Sequence, residues 1–206
     1  EGCSGGGGRF DFGMLYYTPQ IWCSDNTDAV DRVRIQYGTS FGYPLSVIGA
    51  HVSAVPNHQT GRTVCCHTRG VAAMTGAFGY ELDLGKLSEE DREAVREQIA
   101  IYHKTAPLLQ NGTYRRLSNP FTDEYGAWMV VDAKKRTALL SVVMLNIHAN
   151  MPVIYVKPAG LDENAKYRDS ASGKIYAGEA LMAYGLPIPQ RFGDYQAYQM
   201  LFEVVE

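Results

Sequence analysis

Two short stretches near the start of the chain combine residue types that could do chemistry on a ligand. Four consecutive glycines at residues 5–8 follow Cys3, and glycine lets a backbone come close to a ligand because no Cβ stands in the way. Asp25 lies farther along, in the polar turn at residues 24–28, where a strand is expected to end. A carboxylate at such a place can exchange protons with a bound molecule. A glycine loop that a ligand can approach closely, followed by an acidic turn, indicates a sugar-processing site on an α/β scaffold.

Each of these features also has a purely structural explanation. The glycine run could be a flexible linker or a tight turn, since it lacks both the Gly-Lys-Ser/Thr ending of a P-loop and a GxGxxG pattern. The residues around Asp25 suit a turn that leads into a helix capped by Asp28. Asp11 and Asp28 are weaker candidates for the same chemistry. Trp22 could stack on a sugar ring or belong to a core.

The histidines and cysteines offer weaker chemical signals. His51 lies in a run of small residues, where a lone histidine is more often a hydrogen-bonded structural residue than a base. Cys65, Cys66 and His67 are adjacent and lack the ligand spacing of a metal site, so we expect no metal and no other cofactor. The four cysteines form no CxxC pair. They are typical of free thiols in a reducing compartment, and we expect a cytoplasmic protein.

Composition narrows the classes of partner. The chain has 206 residues, 46% of them hydrophobic, which is enough for a sizeable core. The formal net charge is −3, so the composition lacks the excess of basic residues that is typical of nucleic-acid-binding proteins. No apolar run approaches the ~20 residues that a membrane-spanning helix needs. The sequence begins at Glu1 without an initiator methionine, from which we expect a piece of a longer molecule.

Before residue 112 the pattern alternates between strands and helices. Strands are predicted at residues 20–24, 47–55 and 80–84, and helices at 28–41, 69–76 and 88–111. The apolar stripe of the first helix is predicted to comprise Val30, Val33, Tyr37 and Phe41. The stripe of the long helix is predicted to comprise Val95, Ile99, Tyr102, Ala106 and Leu109. Repeated strand–helix units favour a parallel sheet with helices packed on it.

After residue 112 the pattern is β. Strand-like runs are predicted at residues 127–131, 137–145, 152–157, 166–168, 174–176 and 197–205. Their short, even spacing between turn residues is typical of an antiparallel sandwich. The sequence therefore predicts two domains, at residues 1–112 and 113–206.

Several strings resemble the family-36 glycoside hydrolases, the bacterial-type α-galactosidases. The matching strings are CSGGGGRFD at 3–11, WCSDNTD at 22–28, QYGTS at 36–40, GAHVSAVPNHQ at 49–59 and FGYELDL at 78–84. Thr is usual in the family where this chain has Cys23. The resemblance implies an α/β plus all-β fold, in which residues 1–112 form the second half of a (β/α)8 barrel. Residues 113–206 would then form a C-terminal antiparallel β-sandwich.

The resemblance also implies a chemistry. Family members hydrolyse terminal α-galactosides such as melibiose and raffinose with retention, using one aspartate as nucleophile and another as general acid and base. Asp25 matches the acid/base aspartate. The residues expected to bind the galactoside are Cys3, Ser4, Gly5, Gly6, Trp22 and Asp25, without a metal.

The nucleophile motif of the family, Lys-Trp-Asp, has no counterpart in this chain. Trp22 and Trp128 are its two tryptophans, and neither is followed by Asp. We therefore expect the nucleophile to lie in a missing N-terminal part of the same enzyme, and the chain alone to be inactive. For the complete enzyme the resemblance suggests a homo-oligomer.

Three alternatives remain open at this point. The enzyme could act on α-N-acetylgalactosamine, although Cys3 and Ser4 suit a plain hydroxyl at the sugar's C2 position better than a bulkier group. It could transfer galactose rather than hydrolyse galactosides. Finally, the chain could be a carbohydrate-binding or structural module without activity.

Overall fold

The chain divides into two compact units, Glu1–Gln110 and Asn111–Glu206. The structure is a computed structural model that describes residues 1–3, 5, 8, 10–189 and 192–205. Each unit has its own arrangement of strands and helices.

The first unit alternates helices and strands. Its elements in chain order are α1 (Ala29–Thr39), β1 (Gly49–Ser53), α2 (Cys66–Ala73), β2 (Ala77–Glu81) and α3 (Glu89–Asn111). Short 3₁₀ turns lie at Met14–Tyr16, Leu45–Val47 and Leu84–Lys86. The predicted helices are therefore present, although α2 begins and ends about one turn earlier than its sequence pattern indicates.

Four chain segments run parallel in this unit. β1 and β2 pair in parallel from Gly49↔Ala77 to Ser53↔Glu81. Isolated parallel bridges extend the arrangement, joining Ile21 to Ile48 and Gly2 to Ile21. The expected parallel pairing is thus confirmed for these segments.

The strand predicted at residues 20–24 is wrong beyond its single bridge residue, Ile21. The carbonyl of Ser24 accepts a hydrogen bond from the Arg32 guanidinium at 3.1 Å, and the Ser24 hydroxyl accepts one from Asn26 N–H at 3.1 Å. Local side-chain bonds of this kind compete with a sheet ladder, so the chain turns instead of continuing as a strand.

The strand predicted at residues 80–84 is also displaced. β2 begins at Ala77 and ends at Glu81. The Asp83 carboxylate accepts a hydrogen bond from Gly85 N–H at 2.9 Å, which caps the next 3₁₀ turn. A short polar side chain that bonds its own backbone two residues on favours a turn over a strand.

The apolar stripe predicted for α1 is half right. Val30 and Val33 are buried, but Phe41 lies beyond the end of the helix and is 66% exposed. Arg32 and Gln36 complete the buried face instead. Burial of Gln36 is supported by its amide nitrogen, which donates to the carbonyl of Ala72 in α2 at 3.0 Å.

In α3 the buried face is also rotated from the prediction. Val95 and Leu109 are buried as expected, but Ile99 is 40% exposed. Gln98 is buried and donates to the carbonyl of Cys66 at 2.8 Å. α3 therefore packs through a mixed polar and apolar face.

The second unit is built around an antiparallel sheet. Its strands are β3 (Thr113–Arg116), β4 (Tyr125–Val131), β5 (Thr137–Met144), β6 (Tyr155–Val156), β7 (Lys166–Asp169), β8 (Ile175–Ala177), β9 (Leu186–Pro187) and β10 (Ala197–Val205), with one helix, α4 (Gly178–Tyr184). Six strands form a sheet in the order β3-β4-β5-β10-β7-β8, and β6 pairs with β9. The described residues thus contain the expected antiparallel sheet, whereas the two-layered sandwich stays a prediction.

The core of the second unit lies on the central strands. β4 and β5 are buried along nearly their whole length, which explains their almost continuous apolar sequence. Tyr167 is fully buried there. Its hydroxyl donates to the carbonyl of Lys135 at 2.6 Å and accepts from Asp162 N–H at 2.9 Å, so the buried polar group is satisfied.

Candidate active site

The turn at residues 24–28 holds its shape through its own side chains. Asn26 N–H donates to the Ser24 hydroxyl at 3.1 Å, and Asp28 N–H donates to the Asn26 side-chain oxygen at 2.9 Å. Asn26 in turn donates to the Asp31 carboxylate at 2.9 Å. Asp25 lies inside this bonded turn, and its side chain is exposed. The turn thus exposes the Asp25 carboxylate to solvent, while the side chains of its neighbours form the hydrogen bonds that hold the turn.

Asp28 is the N-cap of α1, as predicted. Its carboxylate is buried and accepts hydrogen bonds from Val30 N–H at 2.9 Å and Asp31 N–H at 3.2 Å. It also accepts from the Thr60 hydroxyl at 2.6 Å and pairs closely with Arg62. Burial by itself would raise the pKa of Asp28, but the hydrogen bonds from Thr60, the backbone and Arg62 outweigh burial and lower the pKa. Asp28 therefore serves as a structural anion.

Trp22 contacts the candidate carboxylate directly. Its indole N–H donates to Oδ1 of Asp25 at 3.1 Å. The indole is only 6% exposed, and its ring stacks on His51 with centroids 4.7 Å apart and planes 19° apart. The guanidinium carbon of Arg32 lies 4.5 Å from the ring centroid of Trp22. The Trp22 side chain is thus largely buried, and its one polar group, the indole N–H, donates to Asp25.

Arg32 is the site residue that the sequence analysis missed. It is 3% exposed, and burial lowers the pKa of its guanidinium. Two backbone carbonyls hold the group, those of Ser24 at 3.1 Å and Gly49 at 2.6 Å. The signal in the sequence was an arginine between the two apolar positions Val30 and Val33 of an amphipathic helix, where charge is unexpected.

His51 links β1 to the edge of the site. Its Nδ1 lies 3.9 Å from a carboxylate oxygen of Glu81, the last residue of β2. The ring also lies against Gly79, where a Cβ would come within 2.9 Å of His51 Cδ2. The missing side chain of Gly79 therefore makes room for the His51 ring that stacks on Trp22.

The glycine-rich loop begins on the same edge of the parallel segments. Gly2 bridges Ile21, so Cys3 and Trp22 are the next residues along two neighbouring segments. The Cys3 thiol is free and exposed. Gly5 has φ of +61°, a left-handed conformation that favours glycine. Ser4 and Gly6 lie outside the described residues.

Two other candidates from the sequence have structural partners. The Asp11 carboxylate accepts from Met14 N–H at 2.8 Å in an exposed turn. Burial raises the pKa of the Cys66 thiol, which lies beside the Gln98 amide. Within the described parts of the chain, no three His, Cys, Asp or Glu side chains come together as a metal site.

The comparison with protein families matches both units. Residues 1–112 match the melibiase family, and residues 125–202 match the C-terminal domain of glycosyl hydrolase family 36. The chain belongs to glycoside hydrolase family 36. The family resemblance read from its motifs is therefore confirmed.

Curated relatives of this family-36 chain are α-galactosidases. The bifunctional α-galactosidase/sucrose kinase AgaSK of Mediterraneibacter gnavus is 59% identical over 202 residues, which cover 98% of this chain and 22% of the relative. The α-galactosidase AgaA of Geobacillus stearothermophilus is 48% identical over 206 residues, which cover 100% of this chain and 28% of the relative. The chain thus spans 22% to 28% of the length of these relatives.

Solved structures of the family superpose closely on this chain. The galactosidase domain of AgaSK has a TM-score of 0.97 at 58% identity, covering 99% of this chain and 28% of that one. AgaA of Geobacillus stearothermophilus in complex with raffinose has a TM-score of 0.95 at 48% identity, covering 98% of this chain and 28% of that one. Among the described residues, no helix has the length and apolar character to cross a membrane.

Proposed function

We propose that this chain is part of a retaining α-galactosidase in which Asp25 is the general acid and base. The observation that carries the proposal is the exposed Asp25 carboxylate, which is bonded to Trp22 at the carboxyl end of parallel segments. Active sites of barrel enzymes lie at that end of the strands. The substrate class is a terminal α-galactoside such as melibiose or raffinose, and raffinose is the ligand in the AgaA complex.

The chemistry proceeds in two proton transfers at one carboxyl group. In the first step a nucleophilic carboxylate attacks the anomeric carbon, while the protonated Asp25 gives its proton to the leaving oxygen. In the second step the Asp25 carboxylate takes a proton from water as that water attacks the anomeric carbon, and the nucleophilic carboxylate leaves. An exposed side chain such as that of Asp25 can reach both the leaving group and water.

The loop that begins at Cys3 contacts the galactose in this proposal. Cys3 contributes an exposed thiol and Gly5 supplies a backbone without a side chain in the way, and the proposal extends to their sequence neighbours Ser4 and Gly6. Trp22, which the motif resemblance places among the galactoside-binding residues, has a different role in this proposal. Because its ring is packed against His51 and Arg32, it acts on the site through its N–H rather than as a stacking platform.

The architecture proposed for these units is that of the family. Residues 1–112 are the second half of a (β/α)8 barrel, which the parallel segments and their helices support. Residues 113–206 are a β-sandwich, which the antiparallel six-stranded sheet supports. The complete enzyme is a homo-oligomer in a reducing cytoplasm, where its free thiols would persist.

The nucleophile comes from a part of the enzyme that these 206 residues do not include. Trp22 and Trp128 are followed by Cys23 and Met129, so no Trp-Asp pair is present. Retention requires a second carboxylate about 5–5.5 Å from the first. The isolated chain should therefore not hydrolyse an aryl α-galactoside, whereas the full-length enzyme should. Turnover by the purified chain would refute this assignment of the nucleophile.

The decisive test of Asp25 is its replacement in the full-length enzyme that carries this chain. Asp25→Ala should slow melibiose hydrolysis by about 10²–10⁴-fold, the usual worth of general acid–base catalysis. The rate of the first step should fall less with an activated aryl galactoside, because its leaving group needs no proton. Added azide should partly restore turnover of the variant. Asp11→Ala, the same change at another exposed aspartate, should leave both activities near normal. Near-normal melibiose turnover by Asp25→Ala would show that another group provides the proton.

A further inference from the structure

We propose that Trp22 is a positioning residue that occupies Oδ1 of Asp25, so that Oδ2 carries the catalytic proton. The inference rests on the proposed role of Asp25 as general acid and base. It assigns to Trp22 a function in proton transfer that its burial and its hydrogen bond together support.

The hydrogen bond joins one defined atom on each side. The indole N–H of Trp22 can only donate, and it donates to Oδ1 of Asp25 at 3.1 Å. Within the described ranges it is the one donor to this carboxylate. A protonated Oδ1 can still accept the indole N–H, but it accepts more weakly than an unprotonated oxygen, so the bond disfavours a proton on that oxygen. The proton is therefore directed to Oδ2, the oxygen that Trp22 leaves free.

The indole itself is held by residues from distant parts of the sequence. His51 in β1 stacks on the ring, and the Arg32 guanidinium in α1 lies over it. Arg32 cannot move easily, since the carbonyls of Ser24 and Gly49 both accept its hydrogen bonds. A cation over an aromatic face is attracted by the ring's π electrons. Withdrawal of electron density by this cation strengthens the N–H as a donor to Asp25.

This arrangement serves both proton transfers. In the first, a fixed Oδ1 restricts rotation of the carboxyl group, so the proton on Oδ2 points in one direction toward the leaving oxygen. In the second, the N–H stabilises the negative carboxylate that takes a proton from water. Orientation of a catalytic group in this way is a recognised part of enzymatic rate enhancement.

The experiment removes the N–H and keeps the ring, in the full-length enzyme. Replacement of Trp22 by 3-benzothienylalanine puts sulfur where the N–H was and preserves the stacking on His51. Trp22→Phe is the simpler variant. For each we expect kcat/KM for melibiose to fall about 10-fold, in line with loss of a hydrogen bond to a charged group. Turnover of an activated aryl galactoside in its first step should change much less, since that step needs no proton.

Two controls separate positioning from structure. Trp128→Phe, at the other buried tryptophan, should leave the ratio of the two activities unchanged. In an Asp25→Ala background, removal of the N–H should have no further effect on melibiose, because the proton donor is already gone.

The outcomes are distinct. If the isostere lowers both activities equally, or lowers melibiose turnover further in the Asp25→Ala background, Trp22 has only a structural role and the inference is wrong. If Asp25→Ala itself leaves melibiose turnover intact, the proposed function fails before Trp22 is considered. A selective loss for melibiose that disappears in the double variant supports the inference.

Discussion

Asp28 offers a quantitative test of the contacts that hold the candidate site, because its carboxylate joins α1 to the loop that contains Thr60 and Arg62. It caps α1 through Val30 and Asp31 N–H, accepts from the Thr60 hydroxyl, and pairs with Arg62. Its side chain is 1% exposed, whereas that of Arg62 is 26% exposed. Asp28→Ala removes all of these bonds, whereas Asp28→Asn removes the charge and one acceptor oxygen but keeps the cap, since asparagine is an equally good N-cap.

The expected cost follows from these contacts. Loss of an N-cap typically costs about 1 kcal/mol. A hydrogen bond from Thr60 to a charged group contributes roughly 1.5 kcal/mol or more. The bond to Arg62 adds about 0.5 kcal/mol, because Arg62 can return to water. Asp28→Ala should therefore lower the free energy of opening of α1 by about 3 kcal/mol, and Asp28→Asn by about 1–1.5 kcal/mol.

Amide hydrogen exchange of the full-length enzyme measures this opening. Protection of the α1 amides should fall about 100-fold in Asp28→Ala and about 10-fold in Asp28→Asn, because 1.4 kcal/mol is a factor of ten. Equal protection of α1 in all three proteins would refute the energetic role of Asp28. Equal loss in the two variants would show that the charge and the second carboxylate oxygen, rather than the cap, provide the stabilisation.

The same comparison has a defined dependence on pH. The pKa of Asp28 is lowered in the folded state, so its charge stabilises the fold fully above the pKa of the unfolded chain. That contribution is lost as the pH falls through the folded-state pKa. The difference between the native protein and Asp28→Asn should therefore be full at pH 7 and shrink below about pH 4. A difference that grows in acid would contradict the lowered pKa.

Two further predictions concern the loop and the packing of the first unit. Galactose should protect the exposed Cys3 thiol of the full-length enzyme from alkylation, and equal labelling with and without galactose, measured by mass spectrometry, would count against its contact with the sugar. Gly76→Ala should strongly destabilise the first unit, because a Cβ there would lie 2.2 Å from the carbonyl oxygen of Ile48. Gly38→Ala in α1 meets no atom within 4 Å and should instead stabilise by about 0.5 kcal/mol, so thermal unfolding of the two variants should shift in opposite directions.

Elements with strong local signals were predicted well. The cap of α1 was found at Asp28, and the strand expected at residues 197–205 is β10, Ala197–Val205. β4 and β5 were located from their apolar runs. These signals are local because a cap bonds amides two and three residues away, and a buried strand needs a continuous set of apolar side chains.

Elements with weak local signals were missed. β3, β9 and α4 had no prediction, since two are strands of a few polar or turn-forming residues and α4 is a helix of only 7 residues. The apolar stripes of α1 and α3 were rotated for a different reason. Gln36 and Gln98 are buried because backbone carbonyls of other segments accept their hydrogen bonds, and sequence periodicity cannot reveal such partners.

The residue types alone determined the family, the candidate carboxylate Asp25 and the turn that presents it, because these depend on side chains that are neighbours along the chain. Only the tertiary structure decided that Trp22 donates to Asp25 while its ring packs on His51 and under Arg32. That choice requires β1 and α1 to bring their side chains to one place. Stacking and burial are gained only when residues far apart in sequence meet, so no local pattern could have shown that the Trp22 ring is packed inside the unit.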